Sequence, residues 1–519
     1  AVLGLMLMAC VNLANAQLGR GLTRSRDGAV RTALGASRWR LVWSAIAENL
    51  LLAGSGGACG VLLAYASLNL FRRSAPIDLP RLAEVHLNLT VLLFSIVLTS
   101  AATAFSGILP ALRTIASDPH AALQQNSGRS LGSRRGNRLR RLLVGVQVCG
   151  CTALLLITGL FSKSLFHLLS EDRGFDTGQV TVAEVRLAPQ VYAKDQSRVS
   201  FYDAVLENLR TIPGVDGAAL VSAMPLDGES WIESVQRMDR PTLETPLINF
   251  RWVGPGYFET TRQKLVAGRF LEERDRNING VVLTESEAAA LWGSENAIGG
   301  GVRIEGRIFT VVGVVVDSHS TSLKTPPARM AYAHYKDRPP FTAFFTLRAA
   351  QPAEALAPAI REAIWKRDPG AVVARVKTLD AQVADSLSTE RFQTSLMLAF
   401  GSAALLLALL GIYGVLSCSV AARKQEIGVR IALGASRGSV YGLTFGEVGA
   451  PVGVGIAAGL AVSILVARVV RNALYGVRLV DPTVIAAVII LFLLSAALAA
   501  YIPARRAASV DPMEALRAE

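Results

Sequence analysis

The chain has 519 residues, 51% of them hydrophobic and 18% charged, with a mean hydropathy of +0.39. Soluble domains carry about 25% charged residues, so this composition excludes an ordinary soluble enzyme and calls for a bilayer beside the apolar surface. The formal net charge is +13, and where that charge sits decides between nucleic acid and membrane.

A spanning helix needs about 20 apolar residues. In chain order, seven stretches near or above that length lack Asp, Glu, Lys and Arg: 1–19, 49–71, 85–112, 142–162, 392–422, 448–467 and 482–504. The first opens on Ala1, not Met, and no A-x-A-like cleavage site precedes a mature domain. The chain is therefore read as a fragment that lacks its beginning. Segments 20–40, 113–141, 423–437 and 505–519 hold twenty Lys and Arg against six Asp and Glu, a net +14, while the remainder sums to −1. Seven helices threaded in order bring all four basic segments to one side, which the positive-inside rule makes cytoplasmic. Loops 72–84 and 468–481 are only mildly basic. Arg129, Arg134, Arg135, Arg138, Arg140 and Arg141 are thus read as partners for anionic lipid, not nucleic acid.

The same threading leaves 163–391, more than 200 residues, outside the cytoplasm. Cys10, Cys59, Cys149, Cys151 and Cys418 all lie in apolar stretches, so this outer segment has no disulfide. Cys149-Gly150-Cys151 has the look of a ligand pair, but mid-span and without partners it is read as small-residue helix packing. Val199, Tyr202, Leu206 and Leu209 give a helical stripe up to Pro213-Gly214; Leu356, Ile360 and Ile364 give another, stopped by Asp368-Pro369-Gly370. Residues 308–316 read as a buried strand. The segment is a mixed α/β domain, with 163–175 and 378–391 continuing the flanking spans as a stalk.

The chain also repeats itself. Arg31-Thr-Ala-Leu-Gly-Ala-Ser-Arg38 recurs as Arg430-Ile-Ala-Leu-Gly-Ala-Ser-Arg437, 399 residues on. At the same offset Glu48, Gly54, Gly56 and Gly60 match Glu447, Gly453, Gly455 and Gly459. Pro110-Ala-Leu-Arg113, Asp118-Pro119 and Ala122-Leu123 align with Pro503-Ala-Arg-Arg506, Asp511-Pro512 and Ala515-Leu516, now 393 apart. Two copies of one membrane unit are read as fused, and by this arithmetic roughly 260 residues are missing before the fragment. Each unit has four spans, so the halves insert the same way up, related by a pseudo-twofold along the membrane normal.

The loops between the first and second, and the fifth and sixth, stretches are the most alike. Asp27 precedes Arg31, and Glu426 precedes Arg430, by the four residues that favour a helical ion pair. Ile427 and Ile431 add a small apolar face. Gly35 and Gly434 suit a helix end, and Ser37 and Ser436 suit the cap of the next helix. The expectation is a one-to-two-turn amphipathic helix on the inner membrane face, a docking element more than a bland connector. Glu48 and Glu447 sit at the cytoplasmic edge of their stretches and read as boundary residues; the repeated glycines read as packing.

Together these residues resemble the FtsX/MacB-type permeases, the membrane subunits of mechanotransmitting ABC transporters. The loop at 423–437 and Asp511-Pro-Met-Glu-Ala-Leu516 are similar to that family's cytoplasmic signatures. The outer segment resembles its periplasmic core domain through Pro255-Gly-Tyr-Phe258, Ala267-Gly-Arg-Phe270 with Asp275, Ile298-Gly299 and Val311-Val-Gly-Val-Val-Val-Asp317. The fused double unit is most similar to the duplicated permeases typical of acidobacteria. The first copy departs at Gly28-Ala29 and His120-Ala121, where the second has Ile427-Gly428 and Met513-Glu514; the outer segment departs at Thr284-Glu285 and Ala297.

The resemblance implies a polytopic α-helical membrane protein of about seven transmembrane helices in two FtsX-like repeats, with one α/β extracytoplasmic domain inserted between helices. The divisions are 1–113 (copy one), 114–141 (basic cytoplasmic linker), 142–168 (first span of copy two), 169–391 (MacB-like periplasmic core domain) and 392–519 (the rest of copy two). It implies a multi-pass inner-membrane permease subunit, not an enzyme, working with a cytoplasmic ABC ATPase that binds the ATP. The coupling residues would be Asp27, Arg31, Leu34, Gly35 and Arg38, and Glu426, Ile427, Gly428, Arg430, Ile431, Leu433, Gly434 and Arg437. A periplasmic adaptor or envelope protein is a further candidate partner. No cofactor, metal or nucleic acid is expected.

The residues agree with a non-enzymatic reading. His86, His120, His167, His319 and His334 form no metal-ligand spacing. A phosphate-binding loop needs G-x-x-x-x-G-K-[ST], and the nearest approach, Ser162-Lys163-Ser164, lacks the glycine and lies at a span's outer end. A second reading, a signalling or scaffold protein regulating a cell-envelope enzyme without transport, differs in needing no ATPase.

Overall fold

The computed structural model describes residues 2–15, 38–74, 88–97, 99–100, 131–228, 231–240, 247–422, 424–433 and 435–508. The chain divides into two compact units, Ala1–His167 with Glu390–Glu519, and Leu168–Thr389.

The first unit is helical. Its described helices are α1 (Val2–Asn15), α2 (Arg38–Ser74), α3 (Leu131–Ser170), α4 (Ser388–Ala422), α5 (Lys424–Ala432), α6 (Arg437–Val469) and α7 (Pro482–Ala508), with a short helical stretch at 89–97. Four are long and apolar enough to cross a membrane: Arg138–Ser170, Ser388–Ala421, Val448–Val469 and Pro482–Ala508. The third of these spans begins one residue after Glu447.

Over half of the α3 span is buried, against a third or less of the other three, so α3 is the centre of the packing. It is reached through small residues. A Cβ on Gly455 of α6 would lie 2.7 Å from the Gly145 carbonyl and from Val148, and one on Gly459 would lie 2.7 Å from Thr152. Gly159 of α3 does the same for Val484 of α7, at 2.6 Å. Close backbone approach is how membrane helices gain packing energy where lipid is as apolar as leucine. The apolar core so formed includes Val148, Cys151, Leu156, Ala404, Ala408, Leu416, Val452, Val488 and Phe492, with Met8 of α1 against it. Gly150, between the two cysteines, has Met8 3.4 Å from its open Cβ position, which is the packing role expected there. Gly54, Gly56 and Gly60 of α2 have nothing within 4 Å.

Lys163 of α3 pairs with Asp481 at 2.6 Å. Asp481 also accepts from the amides of Thr483 and Val484, capping α7. The Tyr475 amide donates to Ser164 Oγ at 2.8 Å. Lys163 and Ser164, the failed phosphate-loop match, thus fasten the 470–481 connection.

The second unit is built on eleven strands: β1 (Val180–Arg186), β2 (Val215–Val221), β3 (Trp231–Arg237), β4 (Leu247–Val253), β5 (Leu265–Gly268), β6 (Gly280–Thr284), β7 (Gly301–Ile304), β8 (Arg307–Val315), β9 (Met330–His334), β10 (Thr342–Ala349) and β11 (Val372–Thr378). Their order is β11-β1-β10-β2-β4-β3-β7-β8-β6-β9, with β5 on β8. Pairing is antiparallel except β4 with β9 and β6 with β8. Because β9 returns to β4, strands β4-β3-β7-β8-β6-β9 close into a ring, and a single pair, Val221 with Val253, joins β2 to it. Helices Asp195–Arg210 and Ala353–Trp365 bury the stripes read from sequence, Val199, Tyr202, Leu206 and Leu209, and Leu356, Ile360 and Ile364. They share one apolar cluster with Phe345 and Leu347 of β10.

The short motifs of this unit are structural. Gly268 has φ +75°, and a Cβ there would meet the Val312 carbonyl at 2.4 Å; one on Gly313 would meet the Arg269 carbonyl at 2.1 Å. The two glycines let β5 cross β8 at backbone contact. Arg269 grips Asp275, which is fully buried, with two hydrogen bonds. Phe258 stacks on Phe270 at 5.4 Å and meets Tyr332 edge-on at 5.2 Å. Asp317 accepts from the Ser286 amide at 3.0 Å and so caps helix Glu285–Trp292.

Candidate functional site

Helix α5 holds most of the second set of residues that the sequence marks as candidates for coupling. It has nine residues, about two and a half turns, slightly longer than the sequence suggested. Glu426 pairs with Arg430 one turn on, at 2.7 Å, with both side chains half exposed. The Ala435 amide donates to the Arg430 carbonyl at 2.9 Å, the long bond that closes a helix C-terminus in the Schellman manner. Ser436 then caps α6, accepting from the Ser439 amide at 3.4 Å. Gly434-Ala-Ser-Arg-Gly438 spells G-x-S-x-G, but Ser436 lies between two helices, not on the strand-to-helix turn a hydrolase requires.

The two faces of α5 differ. Ile427 is buried with Val440 of α6 and Ala507 and Ala508 of α7, and Ile431, Val420 and Tyr441 pack around them. Gly428 is buried too. The opposite face carries Glu426, Val429, Arg430 and Leu433, spaced as neighbours on one helical stripe. Leu433 is 83% exposed and Val429 39%. An ion pair thus lies beside one bare apolar side chain, Leu433, and one partly exposed one, Val429, on a helix seated against two spans. Sequence reasoning named Leu433 but missed Val429, although its spacing, three after Glu426, puts it on that face.

Arg437 and Arg38 open α6 and α2. Asp27, Arg31, Leu34, Gly35 and Gly434 lie outside the described residues, as does Asp511-Pro-Met-Glu-Ala-Leu516.

Several ionisable groups of the second unit are held in structural pairs. His334 Nε2 and Lys336 Nζ both contact Glu273, at 3.1 and 2.6 Å. Burial lowers the His334 pKa, with Glu273 pulling the other way. His319 Nδ1 faces the Ser322 carbonyl at 3.2 Å. Among the described residues no group of three or more His, Cys, Asp and Glu could hold a metal ion.

The family described as FtsX-like permease C-terminal matches residues 1–119 and again 398–512. The family described as MacB-like periplasmic core domain matches residues 148–377. The chain belongs to the FtsX/MacB-type permeases. Solved structures similar to part of this permease include the periplasmic region of MacB from Actinobacillus actinomycetemcomitans: 18% identity, TM-score 0.29, 41% of this chain and 94% of that one. The extracellular domain of the noncanonic ABC-type transporter YknZ from Gram-positive bacteria covers 38% of the permease and 98% of itself, at 14% identity and a TM-score of 0.27. No curated protein sequence matches the permease. It is a membrane protein with an extracytoplasmic segment and a component of the ABC-transporter class. In it, α5 follows α4 inside the second FtsX-like match.

Proposed function

We propose that this permease couples ATP hydrolysis by a separate cytoplasmic ABC ATPase to movement of its periplasmic domain. The ATPase grips α5 and the matching segment 27–38, and its closure tilts the spans attached to them. The helices that enter and leave the outer domain carry that movement outward, α3 to Ser170 and α4 from Ser388. The domain acts on an export substrate outside the bilayer or in its outer leaflet, such as a lipid, lipoprotein, peptide or drug. On this reading the chain crosses the inner membrane seven times and is two fused copies of one unit, 1–113 and 142–168 with 392–519. Residues 114–141 are a cytoplasmic linker and 169–391 the periplasmic core domain. The repeated match of one permease description near both ends supports the fusion.

The observation that carries this reading is the two-faced packing of α5: a buried Ile427 edge fixed to α6 and α7, and a free edge of Glu426, Val429, Arg430 and Leu433. An exposed leucine beside an ion pair, on a helix held by two spans, supports a docking edge over a mere connector. Reconstitution with the ATPase in vesicles tests it. Export substrate should stimulate ATP hydrolysis; an outer domain that activates a cell-wall hydrolase when added alone, with no ATPase response, would favour the scaffold reading instead.

A further inference from the structure

Carried back from Arg31 and Arg430 without a gap, the offset of 399 makes α1 the counterpart of α4. Leu7 and Ala9 meet identical residues at Leu406 and Ala408, and Arg24 meets Arg423. By the same count Met8 corresponds to Leu407, and Asn12 to Gly411.

These counterparts touch. Asn12 Nδ2 donates to the Leu407 carbonyl at 2.8 Å, and Gln147 Nε2 of α3 donates to that same carbonyl at 2.5 Å. In a helix, the residue four positions on covers a carbonyl with its side chain; for Leu407 that residue is Gly411, which has none. A Cβ on Gly411 would lie 2.6 Å from Asn12 Oδ1 and 2.2 Å from Gln147 Oε1. Residues that are equivalent in two related halves meet each other only at the symmetry axis of an isologous contact. Asn12 against Gly411 therefore marks the axis, but the contact is one-sided. The reciprocal bond, from position 411 to the Met8 carbonyl, has no donor.

We propose that Asn12 and Gly411 form a heterologous lock that pairs copy one with copy two and rejects like with like. This rests on the two-copy reading given above. Two Asn-bearing spans would bring two amides to a place with room for one. Two Gly-bearing spans would leave the Leu407 carbonyl with Gln147 as its one side-chain donor and the space that Asn12 fills beside Gly411 empty, a packing defect between helices inside the bilayer. Only the unlike pair fills the gap without crowding it. The partner this surface fits is the other half of the same chain, so one chain supplies a complete pair.

A second feature extends the same device along α3 and α4. Thr158 Oγ1 shares its proton between the Leu154 carbonyl of its own helix at 2.8 Å and the Met397 carbonyl at 2.9 Å, and a Cβ on Gly401, four residues after Met397, would lie 2.7 Å from the Thr158 hydroxyl oxygen. This clasp lies wholly within copy two. It supplies an internal control, because breaking it should not affect pairing of the halves.

The test uses the full chain in lipid vesicles, with its native cysteines replaced by alanine and a protease site placed in linker 114–130. Met8→Cys with Gly150→Cys reports α1 on α3, since Met8 Sδ lies 3.4 Å from the open Cβ position of Gly150. In the otherwise unchanged chain, oxidation should join the two proteolytic fragments within one molecule. Asn12→Leu, and separately Gly411→Asn, should cut that intrachain product at least several-fold and raise links between differently tagged chains. Thr158→Val should leave the ratio unchanged, and resistance of the outer domain to protease confirms that each variant is folded. If folded Asn12→Leu and Gly411→Asn chains crosslink as completely as the parent, the lock is wrong. If the parent itself yields no intrachain link, the two-copy packing is wrong.

Discussion

Glu287 gives the sharpest test of the electrostatics of the outer domain. It is fully buried, neither of its carboxyl oxygens has a hydrogen-bond partner among the described residues, and the nearest cation, Arg329 Nε, is 4.0 Å away. Burial pushes its pKa up to about 7 from 4.5, and Arg329 offsets this only in part. Between those values the folded domain keeps a proton that the unfolded chain has released. Stability therefore falls as pH rises, by about 1.4 kcal/mol per pH unit, and the loss across the window reaches about 3 kcal/mol. Glu287→Gln keeps the shape and stays neutral throughout. It should match the parent near pH 4.5 and exceed it by about 3 kcal/mol above pH 7. Pulse proteolysis of the outer domain in urea, on the intact chain at acidic and alkaline pH, measures the gap. A gap that is absent, or the same at every pH, would refute the reasoning.

Three further outcomes follow from the packing. Gly455→Leu or Gly459→Leu should drive α6 off α3 at a cost of about 1–3 kcal/mol, whereas Gly453→Ala, with nothing within 4 Å, should change thermal unfolding little. Asp481→Ala removes both the Lys163 pair and the α7 cap and should lower unfolding temperature more than Asp481→Asn, which loses chiefly the pair; a typical cap contributes about 1 kcal/mol. Asp275→Ala removes a buried acceptor of two Arg269 hydrogen bonds, and because Arg269 stays partly exposed and 3.9 Å from Glu272 it should cost the outer domain roughly 1–3 kcal/mol. Burial raises the Asp275 pKa, but hydrogen bonds from Arg269 and the Glu272 amide win and hold it below its usual value. That stabilisation is present above about pH 4 and disappears on acidification, which acid titration of native fluorescence would show.

Periodicity carried the outer helices plainly: the Val199–Leu209 and Leu356–Ile364 stripes are apolar at 3.6-residue spacing, and burial of one face needs nothing more. The α5 ion pair was legible for the same reason, because Glu426 and Arg430 interact across one turn. The closure of β4 to β9 was not, since a parallel pairing between strands some eighty residues apart leaves no local trace. Nor was the contribution of Gln147 or Thr158. A polar residue in an apolar run announces that it needs a partner, but the partner is a backbone carbonyl uncovered by Gly411 or Gly401 on another helix. The family motifs read as signatures in sequence proved to be joints, as at Gly268 against Gly313 and Asp317 on the 285–292 helix.

Binding of the ATPase is the most direct measure of the central claim. Arg31→Glu with Arg430→Glu reverses the charge on both docking segments while leaving the buried Ile427 edge of α5 untouched. The chain should still insert and keep a protease-resistant outer domain, yet recovery of the ATPase with it should fall more than about tenfold, roughly 1.4 kcal/mol or more. Recovery at the level of the unchanged chain would contradict the account.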